Sequence, residues 1–226
     1  MKIITTIFLL LFLQSCDTND SSITKEISLP NDVRWVTNSS EYSILCEQIY
    51  KNAWQNLSQT LKNSDSDACI IMDLDETVLD NSKYQIGLAE KNETYNPESW
   101  SEWVNLKEAD LVPGAKDFID KVRQTNVKII YLSNRMAKNE LPTMENMIDL
   151  SIYEEDDIFL LRIDKPDKKD VRRSEVLNGT GRMVNFGPLN VLAYFGDARH
   201  DFEDPNSYFS FGKNMFMFPN PMYGKW

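Results

Sequence analysis

The chain has 226 residues, of which 42% are hydrophobic and 26% are charged. This composition excludes a disordered tail and is sufficient for one sizeable core with a small cap. The formal net charge of -11 argues against binding of a nucleic-acid polymer, because contacts with the phosphate backbone require an excess of clustered Lys and Arg.

The N-terminal segment has the pattern of a bacterial lipoprotein signal. Met1-Lys2 precedes an apolar run over residues 3–13, which is too short to span a bilayer. Leu13-Gln14-Ser15-Cys16 is similar to a lipobox, which predicts a signal peptide over 1–15, lipidation of Cys16 and a lipid-anchored location in the cell envelope, at the outer membrane. The alternative is an ordinary secretory signal with an incidental cysteine. The polar residues that follow predict that 16–40 form the lipidated cysteine and a tether.

A helix is predicted over residues 41–63, where apolar and aromatic residues recur at intervals of three and four. Polar residues 64–67 then interrupt the pattern. The apolar run 68–72 is too short for an independent helix and has no polar face, so it predicts a parallel strand that is covered on both sides. Cys46 and Cys69 are expected to be buried free thiols, because two cysteines do not make a disulfide framework.

Two aspartates follow this strand directly. Asp73 and Asp75 leave it two residues apart, so in extended geometry their side chains point the same way. The carboxyl edge of a parallel sheet is where open α/β folds bind ligands. Two like charges this close are stable beside a divalent cation, or when one carboxyl group is protonated. The alternative interpretation is an acidic, solvated turn.

Residues 81–112 contain aromatic residues and short helical patterns without a convincing strand, which predicts a cap over the sheet edge. A helix predicted over 97–108 places Trp100 and Trp103 about one turn apart. The structural interpretation is that both indoles belong to the core of the cap, and we favour it for Trp103.

The remainder alternates between helices and strands. A helix opens at 113–114 and another is predicted over 141–150, and strands are predicted over 127–132, 157–161, 190–196 and 214–218. This order predicts a doubly wound, mainly parallel α/β sheet with a small helical cap. Ser133 follows one strand, and Asp197 and Asp201 follow another, so polar groups recur at the same edge of the predicted sheet. This recurrence favours a functional site over the alternative of a solvated acidic turn. The basic stretch 162–173 is expected to be mostly a solvated helical face.

These residues resemble the bacterial class C acid phosphatases, lipoprotein enzymes of the haloacid dehalogenase superfamily. The resemblance spans 41–226, which predicts a phosphatase domain over that range with 81–112 as its cap. It is weaker around the lysine near 169 and at residues 197–200, where relatives commonly have Asp-Asn-Leu. The motifs that carry it are Asp-Leu-Asp-Glu-Thr-Val-Leu-Asp-Asn at 73–81, Ser133-Asn134-Arg135, a lysine near 169, Gly196-Asp197 with Asp201-Phe202, and Pro219-Asn220-Pro221-Met222-Tyr223-Gly224.

The resemblance implies hydrolysis of phosphomonoesters through an aspartyl phosphate. Asp73 would be the nucleophile and Asp75 the general acid and base. Ser133 would bind a phosphoryl oxygen. Lys169 would screen the charges of the site, and we prefer it to Lys168 because the residues that follow it are more similar to the family's basic turn.

The resemblance also implies a Mg²⁺ cofactor. The carboxylates of Asp73 and Asp197 and the backbone carbonyl of Asp75 would be its protein ligands, with Asp201 orienting bound waters. Among neighbouring residues, Asn134 and Arg135 are candidates for shaping the site, although Arg135 fits a surface position equally well.

Small phosphomonoesters are the implied substrates, with nucleoside monophosphates and aryl phosphates among them. By position, Trp100 and Tyr223 match the aromatic clamp with which relatives hold a base. In the alternative, Trp100 is core and Tyr223 packs the terminus. His200 is expected to be an exposed loop residue. A different class of function also stays open, namely a surface lipoprotein that binds phosphorylated ligands or a partner without turnover, as the altered loop 198–200 would allow.

Overall fold

Five parallel strands form the central sheet of the computed structural model, which describes residues 28–224. The strands are β1 (Ala68–Met72), β4 (Lys128–Tyr131), β5 (Ile158–Phe159), β6 (Asn190–Gly196) and β7 (Met215–Met217). They lie in the order β5-β4-β1-β6-β7, and every adjacent pair is parallel. The doubly wound α/β prediction is confirmed.

Helices cover both faces of this sheet, which explains why β1 has no polar face. Consecutive residues of β1 enter different clusters of buried side chains on the two faces of the sheet, with Ile70 in one cluster and Ile71 in the other. The two cysteines are likewise separated, because Cys46 lies in the first cluster and Cys69 in the second, and both are free thiols. The continuous apolar run over β1 therefore fills two half-cores at once.

Seven α-helices occur within the described residues. They are α1 (Asn31–Asn38), α2 (Ser40–Lys62), α3 (Ser82–Lys91), α4 (Pro97–Leu106), α5 (Ala115–Val122), α6 (Glu140–Asp149) and α7 (Lys169–Asn178). None of the helices between residues 28 and 224 is both long and apolar enough to cross a bilayer.

The predicted tether over 16–40 differs from the structure at its C-terminal end. Residues 31–38 form α1, whose Val33 and Val36 are buried in the core. The two valines are three residues apart and so share one helix face, which packs on the core. The polar composition of the segment gave no sign of this apolar face. Cys16 and the predicted signal peptide lie outside the described residues.

Two helices form most of the predicted cap. Both α3 and α4 fall within 81–112, and α4 packs against α6. Asn96 caps α4 by accepting a hydrogen bond from the backbone N–H of Ser99 at 2.8 Å. A two-residue antiparallel pair, β2 (Leu79–Asp80) with β3 (Asp110–Leu111), joins the ends of the segment. The sequence did not predict β3, because two residues are too few to show a period.

Candidate active site

Three adjacent strands deliver polar residues to one edge of the sheet. Asp73 follows β1 directly, Asp197 follows β6 and Ser133 lies two residues beyond β4. Because β1 lies between β4 and β6, residues that are distant in sequence meet at its carboxyl end. The backbone N–H of Asp73 donates to the carbonyl of Phe195 at 2.9 Å, which holds this edge to β6.

Three carboxylates converge at this edge. Asp73, Asp197 and Asp201 each offer an oxygen that lies within 4.8 Å of the others, and Asp73 and Asp201 are buried. Burial and repulsion from neighbouring carboxylates raise the pKa of Asp73 well above its ordinary value, and burial followed by the Asp201 charge raises the pKa of Asp197 to about 7. A cluster of hard, charged oxygens that repel one another fits a divalent cation, which would offset both costs.

Lys169 is a buried cation that faces two of these carboxylates. Its Nζ lies 2.6 Å from Asp73 Oδ1 and 2.5 Å from Asp201 Oδ1. Burial opposes the ammonium charge, but the two carboxylates outweigh burial and raise the lysine pKa. Lys168, one residue earlier, is exposed. The geometry thus brings the preferred lysine into the site and leaves its neighbour in solvent.

The expectation of a solvated basic face over 162–173 is wrong for α7. Lys169, Arg172 and Arg173 are all buried. The Arg172 guanidinium donates to the backbone carbonyls of Ser133 and Leu160, and its Nη2 donates to Asn134 Oδ1 at 2.7 Å. The helix therefore turns these basic residues inward, where carboxylates and backbone carbonyls accept their hydrogen bonds.

The Ser133–Asn134 turn is shaped by these contacts. Asn134 is exposed, and its Nδ2 lies 3.1 Å from Nε2 of His200, which is an exposed residue as expected. Ser133 is buried, and its Oγ lies 3.5 Å from Asp75 Oδ2. The turn thus exposes one polar side chain and aims another at the second aspartate.

Asp75 is held by Arg135, for which the sequence left a site role and a surface position open, and by Asn81, to which it assigned no role. Arg135 Nε donates to Asp75 Oδ1 at 2.8 Å, and Asn81 Nδ2 donates to the same oxygen at 3.0 Å. The surface alternative for Arg135 is wrong, because the residue is only 1% exposed. Both residues belong to the motifs at 73–81 and 133–135, and that membership was the sequence signal for a role in the site. Their neighbours in sequence do not show which group they bind.

Asp197 and Asp201 also depend on partners outside the predicted set. Asn220 Nδ2 donates to Asp197 Oδ2 at 2.7 Å, which ties the C-terminal segment to the carboxylate cluster. Asp201 Oδ2 accepts from the backbone N–H of Ala198 at 2.9 Å. Gly196 leaves room for Asp201, since a Cβ on this glycine would lie 2.3 Å from Asp201 Cβ.

Both aromatic candidates are partly exposed, and Trp100 lies beside a residue that binds Asp75. Trp100 is partly exposed, and the Arg135 guanidinium lies 5.8 Å from its ring centroid. Tyr223 is also partly exposed and contacts the core, three residues after Asn220. Trp103 is buried, as the core interpretation predicted, and its Nε1 donates to Asn81 Oδ1 at 2.9 Å.

A doubly wound sheet with paired aspartates after its central strand is the arrangement that the resemblance to haloacid dehalogenase-type phosphatases implied. The chain belongs to the HAD superfamily, subfamily IIIB (acid phosphatase), whose family model matches residues 16–226. It is similar to the crystal structure of the class C acid phosphatase from Bacillus anthracis with tungstate bound, at 28% identity and a TM-score of 0.68 over 85% of this chain and 84% of that chain. A further structure of the class C acid phosphatase from Bacillus anthracis has the same identity and coverage, with a TM-score of 0.70.

The recognised family is thereby confirmed, and the protein is a phosphomonoesterase that acts on small phosphate esters. Enzymes of this superfamily generally use a divalent metal, and the acidic cluster of this chain has suitable oxygen ligands.

Proposed function

We propose that this acid phosphatase is Mg²⁺-dependent and works through an aspartyl phosphate formed on Asp73. The observation that supports the proposal most strongly is the environment of Asp73, which is buried at the end of β1, in an ion pair with Lys169 and within 4.8 Å of two further carboxylates. A buried nucleophile between a cation and a metal-binding cluster suits phosphoryl transfer, in which catalysis is mainly positioning and charge neutralisation.

The first half-reaction transfers the phosphoryl group to the enzyme. A carboxylate oxygen of Asp73 forms a bond to phosphorus as the bond from phosphorus to the leaving oxygen breaks, and Asp75 donates a proton to that oxygen. In the second half-reaction Asp75 takes a proton from water, which attacks phosphorus. The bond from Asp73 to phosphorus breaks, and inorganic phosphate leaves.

Mg²⁺ would be held by the carboxylates of Asp73 and Asp197 and the backbone carbonyl of Asp75. When bound, it neutralises negative charge on the phosphoryl group and its acceptor. Asp201 has one oxygen engaged by Lys169 and the other by the backbone of Ala198, which supports an indirect role through metal-bound waters.

Two further residues act on the phosphoryl group in this proposal. Lys169 screens the charge of Asp73 and of the transferred group, and Ser133 donates a hydrogen bond to a phosphoryl oxygen. Asn134, exposed at the same turn, contacts the remainder of the substrate. The alternative of a lipoprotein that binds without turnover loses its basis, because the chain belongs to an enzyme family and retains these groups.

Nucleoside monophosphates and aryl phosphates are the proposed substrates. Trp100 and Tyr223 are both partly exposed, which leaves ring surface for stacking. We further propose that Cys16 carries a lipid anchor and that the enzyme resides in the cell envelope, at the outer membrane, on the strength of the lipobox pattern alone.

The test is release of 4-nitrophenol from 4-nitrophenyl phosphate. Chelation of the metal should abolish turnover, and added Mg²⁺ should restore it. Asp73→Asn should lose turnover to background, because it removes the attacking charge and a metal ligand. It should keep its melting temperature, because Lys169 retains Asp201 as a partner and one buried negative charge disappears. Near-native rates in Asp73→Asn would show that the nucleophile is another residue.

A further inference from the structure

The two oxygens of Asp75 have different surroundings. Oδ1 accepts both short hydrogen bonds, from Arg135 Nε at 2.8 Å and Asn81 Nδ2 at 3.0 Å, whereas the one partner of Oδ2 among residues 28–224 is the Ser133 hydroxyl at 3.5 Å. A protonated carboxyl oxygen is an O–H donor, and Oδ1 already faces two N–H donors. A proton on Asp75 therefore belongs on Oδ2.

Asn81 can act only as a donor toward Asp75, because its own orientation is determined by neighbours. Its Oδ1 accepts from Trp103 Nε1 at 2.9 Å and from Arg135 Nη2 at 3.1 Å. An indole N–H has no acceptor capacity, so a flipped amide would bring two donors together. The backbone N–H of Asn81 also donates to Glu76 Oε1 at 2.9 Å. Both the backbone and the side-chain amide of Asn81 are therefore held by hydrogen bonds.

Trp103 connects this arrangement to the cap. It lies on α4, one turn after Trp100, and is buried where Trp100 is partly exposed. The Arg135 guanidinium lies under the Trp100 ring while it binds Asp75 and Asn81. The helix that presents an aromatic ring beside the site thus also supplies one of the two hydrogen bonds that orient the Asn81 amide, the other coming from Arg135.

We propose that Trp103, Asn81 and Arg135 are positioning residues that fix Asp75 by its Oδ1, so that Oδ2 transfers the proton to the leaving oxygen. The inference rests on the proposed role of Asp75 as general acid. It assigns Trp103 a function in catalysis through Asn81, rather than packing alone. Correct seating of α4 then becomes a condition for correct placement of the acid.

The experiment compares two substrates with the same ring. 4-Nitrophenolate is a weakly basic leaving group that departs readily without a proton, whereas the alkoxide from 4-nitrobenzyl phosphate requires one. The measured quantity is the ratio of kcat/KM for the two esters in the metal-loaded enzyme. Because kcat/KM compares free enzyme and substrate with the transition state of the first half-reaction, the later role of Asp75 toward water does not enter.

Trp103→Phe removes the indole N–H and keeps an aromatic ring. Proton transfer is worth about 10²–10⁴-fold, so we expect at least about a 10-fold loss for 4-nitrobenzyl phosphate and at most about a threefold loss for 4-nitrophenyl phosphate. Arg135→Lys should shift the ratio further, since it removes the contacts to both Asp75 and Asn81. The matched control is Tyr84→Phe, which deletes one cap hydrogen bond, to Ser99 Oγ at 2.8 Å, and should leave the ratio unchanged.

A double variant with Asp75→Asn separates the acid role of Asp75 from the positioning role of Trp103. In that background Trp103→Phe should not change the ratio again, because the acid it positions is absent. A parallel fall for both esters in Trp103→Phe, or a ratio shift that persists in the double variant, would overturn the positioning role. If Asp75→Asn itself leaves the ratio unchanged, the acid role fails and the positioning role fails with it. If Arg135→Lys does not fold, Trp103→Phe still decides.

Discussion

Replacement of Gly196 by alanine should displace Asp201 from the carboxylate cluster. The new Cβ would lie 2.3 Å from Asp201 Cβ, whereas ordinary contact begins at 3.4 Å, so one group must move by about 1.1 Å, the difference between these values. The backbone of Gly196 is held in the sheet, where its carbonyl accepts from the Phe218 N–H at 2.8 Å and the residue pairs with Met217. The side chain of Asp201 therefore has to move.

A shift of this size is enough to break both contacts of Asp201. Moved along its hydrogen bonds, the carboxylate would lie roughly 3.6 Å from Lys169 Nζ and roughly 4.0 Å from the Ala198 nitrogen, beyond hydrogen-bonding distance. A misplacement of about 1 Å can cost about 10²-fold in rate, so we expect a loss of that order in kcat/KM together with a higher Mg²⁺ concentration for half-maximal activity. Overpacking should also reduce the free energy of unfolding by about 1–3 kcal/mol.

The assay is 4-nitrophenyl phosphate hydrolysis across a Mg²⁺ titration, combined with thermal unfolding. Gly87→Ala is the matched control, because Gly87 lies within α3 and a Cβ there would meet no atom within 4 Å. That control should keep its activity and gain about 0.5–1 kcal/mol of stability from the better helix former. A folded Gly196→Ala enzyme with unchanged kcat/KM and Mg²⁺ dependence would refute the reasoning.

Three further predictions concern the lysine, the aromatic clamp and the anchor. Lys169→Ala should lower kcat/KM by at least about 10²-fold, because an aligned cation is lost, whereas exposed Lys168→Ala should change little; the opposite result would transfer the role to Lys168. Tyr223→Ala should remove ~1–3 kcal/mol of nucleotide binding and spare glycerol phosphate, while equal kcat/KM losses with a lower melting temperature would indicate packing alone. Cys16→Ser should lose acyl-dependent membrane association, and mass spectrometry that finds an unmodified Cys16 in the wild-type membrane fraction would contradict the anchor.

The site was predictable where a strand delivers its own polar residues. The apolar run ending in Asp73 and Asp75 is a local pattern, and so is the strand 190–196 that precedes Asp197 and matches β6 residue for residue. The edge strands were predicted too long, since 157–161 and 214–218 reduce to Ile158–Phe159 and Met215–Met217. At an edge, pairing with a single neighbour decides where a strand ends, and that neighbour is not visible in the local pattern.

The sequence by itself determined the α/β class, the order of the central elements and the carboxylates at their ends, because hydrophobic periodicity and the ends of apolar runs are properties of neighbouring residues. Only the tertiary structure decided which partner each charged group meets. Lys168 and Lys169 are adjacent and chemically identical, yet one faces solvent and the other lies between Asp73 and Asp201. Arg135 reaches Asp75 across 60 residues of chain, because parallel strands bring their carboxyl ends together regardless of separation in sequence.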